Sequence, residues 1–137
     1  MRIRLPCFTM AFLVIFVMSP VAAESVVLED VLDEDEVARL LTDKTITGTY
    51  LENNTPFTRY YSKDGTVRQS IEQEVEEGKW LVDKQGRRCV VWLGKEKRCR
   101  VIIKDNELYK EFTVQKKGKP KLTVIYNKVV GGNPDNL

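Results

Sequence analysis

The chain contains no histidine, and only three of its 137 residues are cysteine. The first absence removes acyl-transfer triads of the usual Ser-His-Asp or Cys-His kind. Together with the lack of any Cys-x-x-C, it also removes the common zinc sets, so neither metal nor cofactor is expected. Long apolar runs are scarce too. The longest, Met10–Met18, has nine residues, where a membrane-crossing helix needs about 20. The chain is therefore not expected to be an integral membrane protein. No internal repeat, low-complexity tract or Gly/Ser/Pro-rich linker divides it, and its length suits one domain.

The short apolar run has its own meaning. Arg2 and Arg4 precede it, Ser19-Pro20 breaks it, and Val21-Ala22-Ala23 places small residues ahead of Glu24. Those are the three parts of a secretory signal peptide, expected over residues 1–23. A periplasmic or secreted location follows, with a mature chain of residues 24–137. Removing the two leader arginines leaves 20 basic against 20 acidic residues. The charge is unevenly placed. Seven acids crowd residues 24–36, while the body from residue 37 carries about seven excess positive charges.

The organisation expected is an arm over 24–32 and a single domain over 33–137. Asp33 heads the one convincing helix. Glu36 stands three residues later, as in a capping box, acids fill the first turn, and Val37, Leu40 and Leu41 form one apolar stripe. Such a stripe is enough to dock a short helix on a sheet or to plug a barrel end.

From Lys44 onward the pattern is β. Strands are expected at about 45–51, 56–62, 65–74, 79–84, 88–93, 98–103, 107–115 and 121–129. Turn chemistry separates them at Glu52–Thr55, Lys63-Asp64-Gly65, Glu77-Gly78, Gln85-Gly86, Gly94, Asp105-Asn106 and Lys117–Pro120. Short strands joined by hairpin-length loops suggest an up-and-down meander, and closing the meander removes its exposed edges. The fold class expected is all-β: a small antiparallel barrel of about eight strands with one short N-terminal helix. Several strands are apolar on both faces, which suits a barrel whose outside is partly covered by the helix or by a partner.

Cys89 and Cys99 stand five residues either side of Gly94, so a hairpin centred there places them directly opposite one another. Opposed Cβ atoms of an antiparallel pair lie about 4.5–5.5 Å apart. In an exported domain with two mature cysteines, that spacing predicts a disulfide.

Two regions are candidates for binding. Tyr50, Phe57, Tyr60 and Tyr61 gather in the first two strands with Arg59, and Arg68 follows in the next. An aromatic-lined cup using Arg59, Arg68, Tyr61 and Tyr50 would suit a small anionic or amphipathic ligand. The alternative use of those residues is core packing with solvated arginines. The second region is a basic surface around Arg88, Arg98 and Arg100, continued by Arg87, Lys95, Lys97 and Lys104, with Lys116, Lys117, Lys119 and Lys121 on another turn. It would suit an anionic envelope polymer, lipid headgroups or a protein partner; the alternative is that these are solvated turn charges. Nucleic acid is not expected, because no stacking aromatics interleave the lysines. Glu72, Glu74, Glu76 and Glu77 form an acidic run, but a carboxylate-dependent hydrolase needs two carboxyls held across a cleft. No catalytic residue is assigned.

Thr45-Ile-Thr-Gly48 after the short helix, Tyr61-Ser-Lys-Asp-Gly-Thr66, Gly78-Lys-Trp80, the single cysteines at 89 and 99, and Gly132-Asn-Pro-Asp-Asn-Leu137 resemble a group of small exported bacterial proteins of unknown function. The resemblance covers most of residues 33–137. It implies a periplasmic β-barrel similar in layout to lipocalin- or avidin-like barrels, and no activity. Gly78-Lys-Trp80 is similar to the lipocalin Gly-x-Trp, placed mid-chain here rather than on the first strand. The function expected is an exported, disulfide-stabilised, non-catalytic binding protein. A secreted interaction module or hydrolase inhibitor is the first alternative, and a carboxylate hydrolase the second.

Overall fold

The structure, a computed structural model, describes residues 28–114 and 117–137. The expected signal segment 1–23, the first residues of the arm (24–27), and Lys116 of the second basic turn lie outside the described residues. The helix α1 (Glu34–Leu41) is followed by β1 (Lys44–Tyr50), β2 (Thr55–Tyr61), β3 (Thr66–Ile71), β4 (Glu74–Val82), β5 (Arg88–Trp92), β6 (Arg98–Asp105), β7 (Leu108–Thr113) and β8 (Lys121–Gly131). Each strand pairs antiparallel with the next, and β8 pairs back onto β1, so the meander closes into the expected eight-stranded barrel.

The capping box forms as the sequence predicts. The Glu36 backbone N–H donates to Asp33 Oδ1 at 2.8 Å, and the Asp33 N–H donates to Glu36 Oε2 at 2.9 Å. Val37 and Leu41 are fully buried and join Ile46, Tyr61, Val67, Val90 and Ile102 in one apolar core, with Leu40 packed at its margin. The helix thus plugs one end of the barrel and leaves the strand faces uncovered. Ahead of it, Val31 makes a single antiparallel bridge to Ile103, and the Leu32 N–H donates to the Ile102 carbonyl at 2.9 Å. The last residues of the arm therefore run along the end of β6. Trp80 belongs to this end as well: its Nε1 donates to the Ser62 carbonyl at 2.9 Å, and its ring meets Tyr61 edge-on at 5.2 Å.

One expected boundary is displaced. The chain does not turn at Glu77-Gly78. It turns at Glu72-Gln73, both left-handed (φ 50° and 69°), as a two-residue hairpin requires, and β4 runs straight through Gly78. Gly78 is small for a packing reason instead. A Cβ there would lie 2.5 Å from the Val91 carbonyl oxygen and 3.0 Å from the Trp92 ring. The glycine punctuates the sequence like a turn while serving as a flat rung under Trp92.

Cys89 and Cys99 are directly paired across β5–β6, with Cα atoms 4.0 Å apart, and form the expected disulfide. The seam they close is short: β5 and β6 pair only through Arg88–Arg100, Cys89–Cys99 and Val90–Arg98. Two arginines directly opposed across strands repel, so the covalent rung holds a seam that its side chains oppose.

Replacing both cysteines by serine should lower unfolding free energy by about 3 kcal/mol, the loop-entropy value for a cross-link of this span. The shift is readable as a lower urea midpoint, with the oxidised wild-type chain two hydrogens lighter than its reduced form. Gly78→Ala should cost about 1–3 kcal/mol by overpacking against β5, whereas a turn glycine at this position would lose less.

Candidate functional site

Strand alternation sends every second residue into the barrel. At the helix end those residues are apolar. Further along they become polar: Arg59 on β2, Gln69 on β3, Arg88 on β5 and Glu111 on β7 are all buried, with Arg59 and Glu111 at 1% exposure and Arg88 at 5%. Beyond this layer, toward the end opposite α1, the barrel opens into a cavity of about 480 Å³. An eight-stranded barrel is the size at which the interior either fills or holds one small ligand.

Glu111 is the hinge of the polar layer. Its Oε2 accepts from Arg88 Nη2 at 2.7 Å, and its Oε1 accepts from the Tyr126 hydroxyl and lies 3.8 Å from Arg59 Nη1. Arg59 is fully engaged. Its Nε donates to Gln69 Oε1 at 2.8 Å, Nη1 to the Tyr61 hydroxyl at 2.8 Å, and Nη2 to the Tyr50 hydroxyl at 2.6 Å. The Phe57 ring lies 4.5 Å from its guanidinium carbon. Gln69 in turn donates to Glu76 at 3.0 Å, and Lys95 at the rim donates to the other Glu76 oxygen at 3.2 Å. A buried charge is tolerated only when paired and hydrogen-bonded in this way.

Arg88 is less complete. Its Nη2 is held by Glu111, but its buried Nε has no hydrogen-bond partner among the described residues. Arg100, directly opposite on β6, is half-buried, and its one side-chain hydrogen bond among the described residues is a 3.4 Å contact from Nη1 to the Cys99 carbonyl. Arg98 stands one inward step closer to the mouth, opposite Val90, and lines the same cavity.

The electrostatics follow from these contacts. Burial works to raise the Glu111 carboxyl, but the adjacent Arg88 and Arg59 charges and the Tyr126 hydrogen bond outweigh it, so the group stays below the usual carboxylate range. Burial, and then the Glu111 charge, push the Tyr126 hydroxyl well above its ordinary value, keeping it a neutral donor. For Arg88, burial acts against the charge and Glu111 overcomes it, so the guanidinium remains ionised. Arg100 moves the other way: burial and then the neighbouring Arg88 charge lower it.

The structure divides the sequence candidates. Arg59, Tyr61 and Tyr50 do meet inside the barrel, with Tyr61 and Arg59 buried in the polar layer. Arg68 does not join them. It lies on the outer face of β3, its side chain 47% exposed and paired with Glu77 at 3.3 Å, because its neighbours Val67 and Gln69 occupy the inward positions. Arg88 is not a surface residue: it shares the inward face of β5 with Val90 and Trp92. Arg100 is half-buried on the same cavity wall and Arg98 is exposed at its mouth, while Lys95, Lys97 and Lys104 remain exposed as expected, so of the expected basic surface Arg88 is the residue that turns fully inward. Glu111 was not visible as a site residue, because Leu108, Phe112 and Val114 make the other face of its strand look like the buried one. The available signal was Glu111 lying in phase with Tyr109, on a strand followed by one carrying Leu122, Val124 and Tyr126 on one face. Comparison of the chain with protein-family models, with curated proteins and with solved structures finds no match. The site therefore stands on its own geometry.

A pH prediction follows from Glu111. Its folded pKa lies below its unfolded value of about 4.3, so its contribution is present above that pH and is lost as pH falls through the depressed folded value. Tyr126→Phe removes one of the hydrogen bonds holding the carboxylate. It should cost about 1.5–3 kcal/mol at pH 7 and move acid unfolding to higher pH, as followed by circular dichroism. Glu111→Gln should cost about 3–5 kcal/mol at neutral pH by leaving two buried guanidinium groups without a counter-charge. Its stability should then vary less with pH in the acid range.

Proposed function

We propose that this is an exported, non-catalytic binding protein that takes a small anionic or amphipathic ligand into the open end of its barrel. The observation that carries the reading is the cavity of about 480 Å³, whose lining contains six basic side chains against four acidic ones; of these, two basic (Arg59 and Arg88) and one acidic (Glu111) are buried. Apolar surface from Ile71, Trp92, Leu122 and Val124 alternates with these charges. A concave, largely preformed site with a few converging polar groups is the usual form of a small-ligand pocket. Export is supported by the tripartite leader pattern over residues 1–23 and by the disulfide, which persists in oxidising compartments. The resemblance to small exported bacterial proteins points the same way.

A second reading, a protein–protein module, is favoured by a different observation. Leu81, Val91 and Leu93 are exposed on the outer face of β4–β5 and its following turn, Leu93 at 91%. This strip is small and interrupted by Lys79, so it ranks below the cavity.

Trp92 lines the cavity and supplies the readout. Titration of the oxidised mature chain with anilinonaphthalene sulfonate should give saturable fluorescence at one probe per chain, with tryptophan emission quenched in parallel and the Trp92 share of that quenching identified by its loss in Trp92→Phe. Octanoate should displace the probe. Unchanged tryptophan emission, or binding that does not saturate, would count against a ligand cup and leave the outer strip as the better interaction surface.

A further inference from the structure

The cup contains four inward arginines, and their partners divide them into two kinds. Arg59 has its nitrogens taken by Gln69, Tyr61 and Tyr50, so it is part of the frame. Arg88 has a buried Nε without a partner among the described residues, and Arg100 and Arg98 form no ion pair with any described carboxylate. The unfilled donor capacity is therefore concentrated on one wall, β5–β6, rather than around the tyrosines. Glu111 does not fill it: its Oε2 accepts from Arg88 Nη2 and its Oε1 from the Tyr126 hydroxyl, and neither oxygen bonds the Arg88 Nε. Arg59, Arg88, Arg98 and Arg100 against Glu111 and Glu76 leave two excess positive charges on the inward strand positions. Like-charged guanidiniums opposed across a three-rung seam repel, and the adjacent Cys89–Cys99 bond holds them in place. That is preorganisation: the ordering cost of the anion site is met by the fold. Toward the mouth Trp92, Ile71 and Leu122 add apolar surface beneath a charged rim that includes Glu76, Lys95 and Arg98.

We propose that Arg88 and Arg100, opposed across β5–β6 beside the cystine, clamp the doubly charged oxyanion head of an amphipathic ligand, a phosphate monoester in chemical class, whose apolar part extends toward Trp92, Ile71 and Leu122. Planar guanidinium forks match phosphate oxygens in pairs. Arg88 supplies the deeper guanidinium, whose Nε has no partner among the described residues, Arg100 supplies most of the second fork, and Arg98 meets the head as it enters. Arg100 stands opposite Arg88 across the seam without a carboxylate partner among the described residues, so an arriving anion supplies the counter-charge missing at this point. This proposal rests on the ligand-cup reading and names which wall of the cup does the recognising.

The test uses the oxidised mature chain and four probes followed by calorimetry and tryptophan emission: octyl phosphate, octanoate, octanol and inorganic phosphate. Octyl phosphate should bind at least about tenfold more tightly than octanoate at pH 8, with the advantage shrinking at pH 5, where the phosphate carries a single charge (second pKa about 6). Arg100→Gln, which disturbs only one weak contact, should lose about tenfold in affinity for octyl phosphate while binding octanol within about twofold of wild type. Arg100→Lys should recover part of the loss. If Arg100→Gln binds octyl phosphate as well as wild type, or if octanoate equals octyl phosphate, the clamp is overturned while the cup reading stands. If inorganic phosphate alone binds as tightly as the octyl ester, the amphipathic part is overturned. If none of the four binds, the clamp and the cup fall together.

Discussion

The buried contact between Glu111 and the guanidinium of Arg88, extended by Arg59 and Tyr126, is the constraint on which the rest of the interior depends. A barrel of eight short strands could have been filled with aliphatic side chains. Instead its middle layer holds two positive charges and one negative charge almost completely out of water. Desolvation makes such a layer costly, and replacement of buried ion pairs by apolar residues is often neutral or stabilising. What the charges supply here is position. Arg59 is held on three sides by Gln69, Tyr61 and Tyr50, and Tyr126 is held neutral and donating. The apolar plug below and the open cup above are separated by a fixed polar floor.

The helix end and the cup end follow different physics. Around α1 the side chains of Val37, Leu41, Ile46, Val67 and Ile102 close the barrel by ordinary apolar burial, so the capped helix replaces the turns and loops that leave the other end open. At the far end the inward positions carry Arg98, Arg100, Glu76 and Trp92 around space. The disulfide stands between the two regimes. It fastens the one seam where inward-facing like charges oppose each other, which gives it a role in holding cup geometry as well as in global stability.

The outer surface also departs from what two-faced apolar strands suggest. Apolar residues on both faces of β5 suggest an outer cover, by the helix or a partner. The helix instead occupies the barrel end, and Val91 and Leu93 remain exposed beside a cystine whose Cys89 is buried next to Asp83 and Arg87. Burial there comes from the β4–β5 turn, where the Asp83 carboxylate accepts from the Arg87 backbone and side chain. Burial works against that carboxylate, but these contacts outweigh it and hold the group below its usual range.

The amino-acid sequence by itself determined the capped helix, the eight-strand meander, its closure and the Cys89–Cys99 pairing. Each of these is carried by local chemistry: a box at Asp33 and Glu36, turn residues at hairpin spacing, and cysteines equidistant from Gly94. It also placed Arg59, Tyr50 and Tyr61 together, because β2 alternation and a short hairpin bring them to one face. Which face looked inward was decided only by tertiary closure, since strands such as β5 and β7 carry apolar residues on both sides. Charge in a strand is ordinarily read as solvent-facing, so Arg88, Arg98 and Arg100 looked like an exterior patch, and Glu111 was masked by Leu108, Phe112 and Val114. Only the closed barrel brings β2, β5 and β7 to a common centre, where one glutamate meets two arginines and where Gly78 is seen as a rung rather than a turn. Periodicity is a property of one strand. The pairing of buried charges belongs to three strands at once.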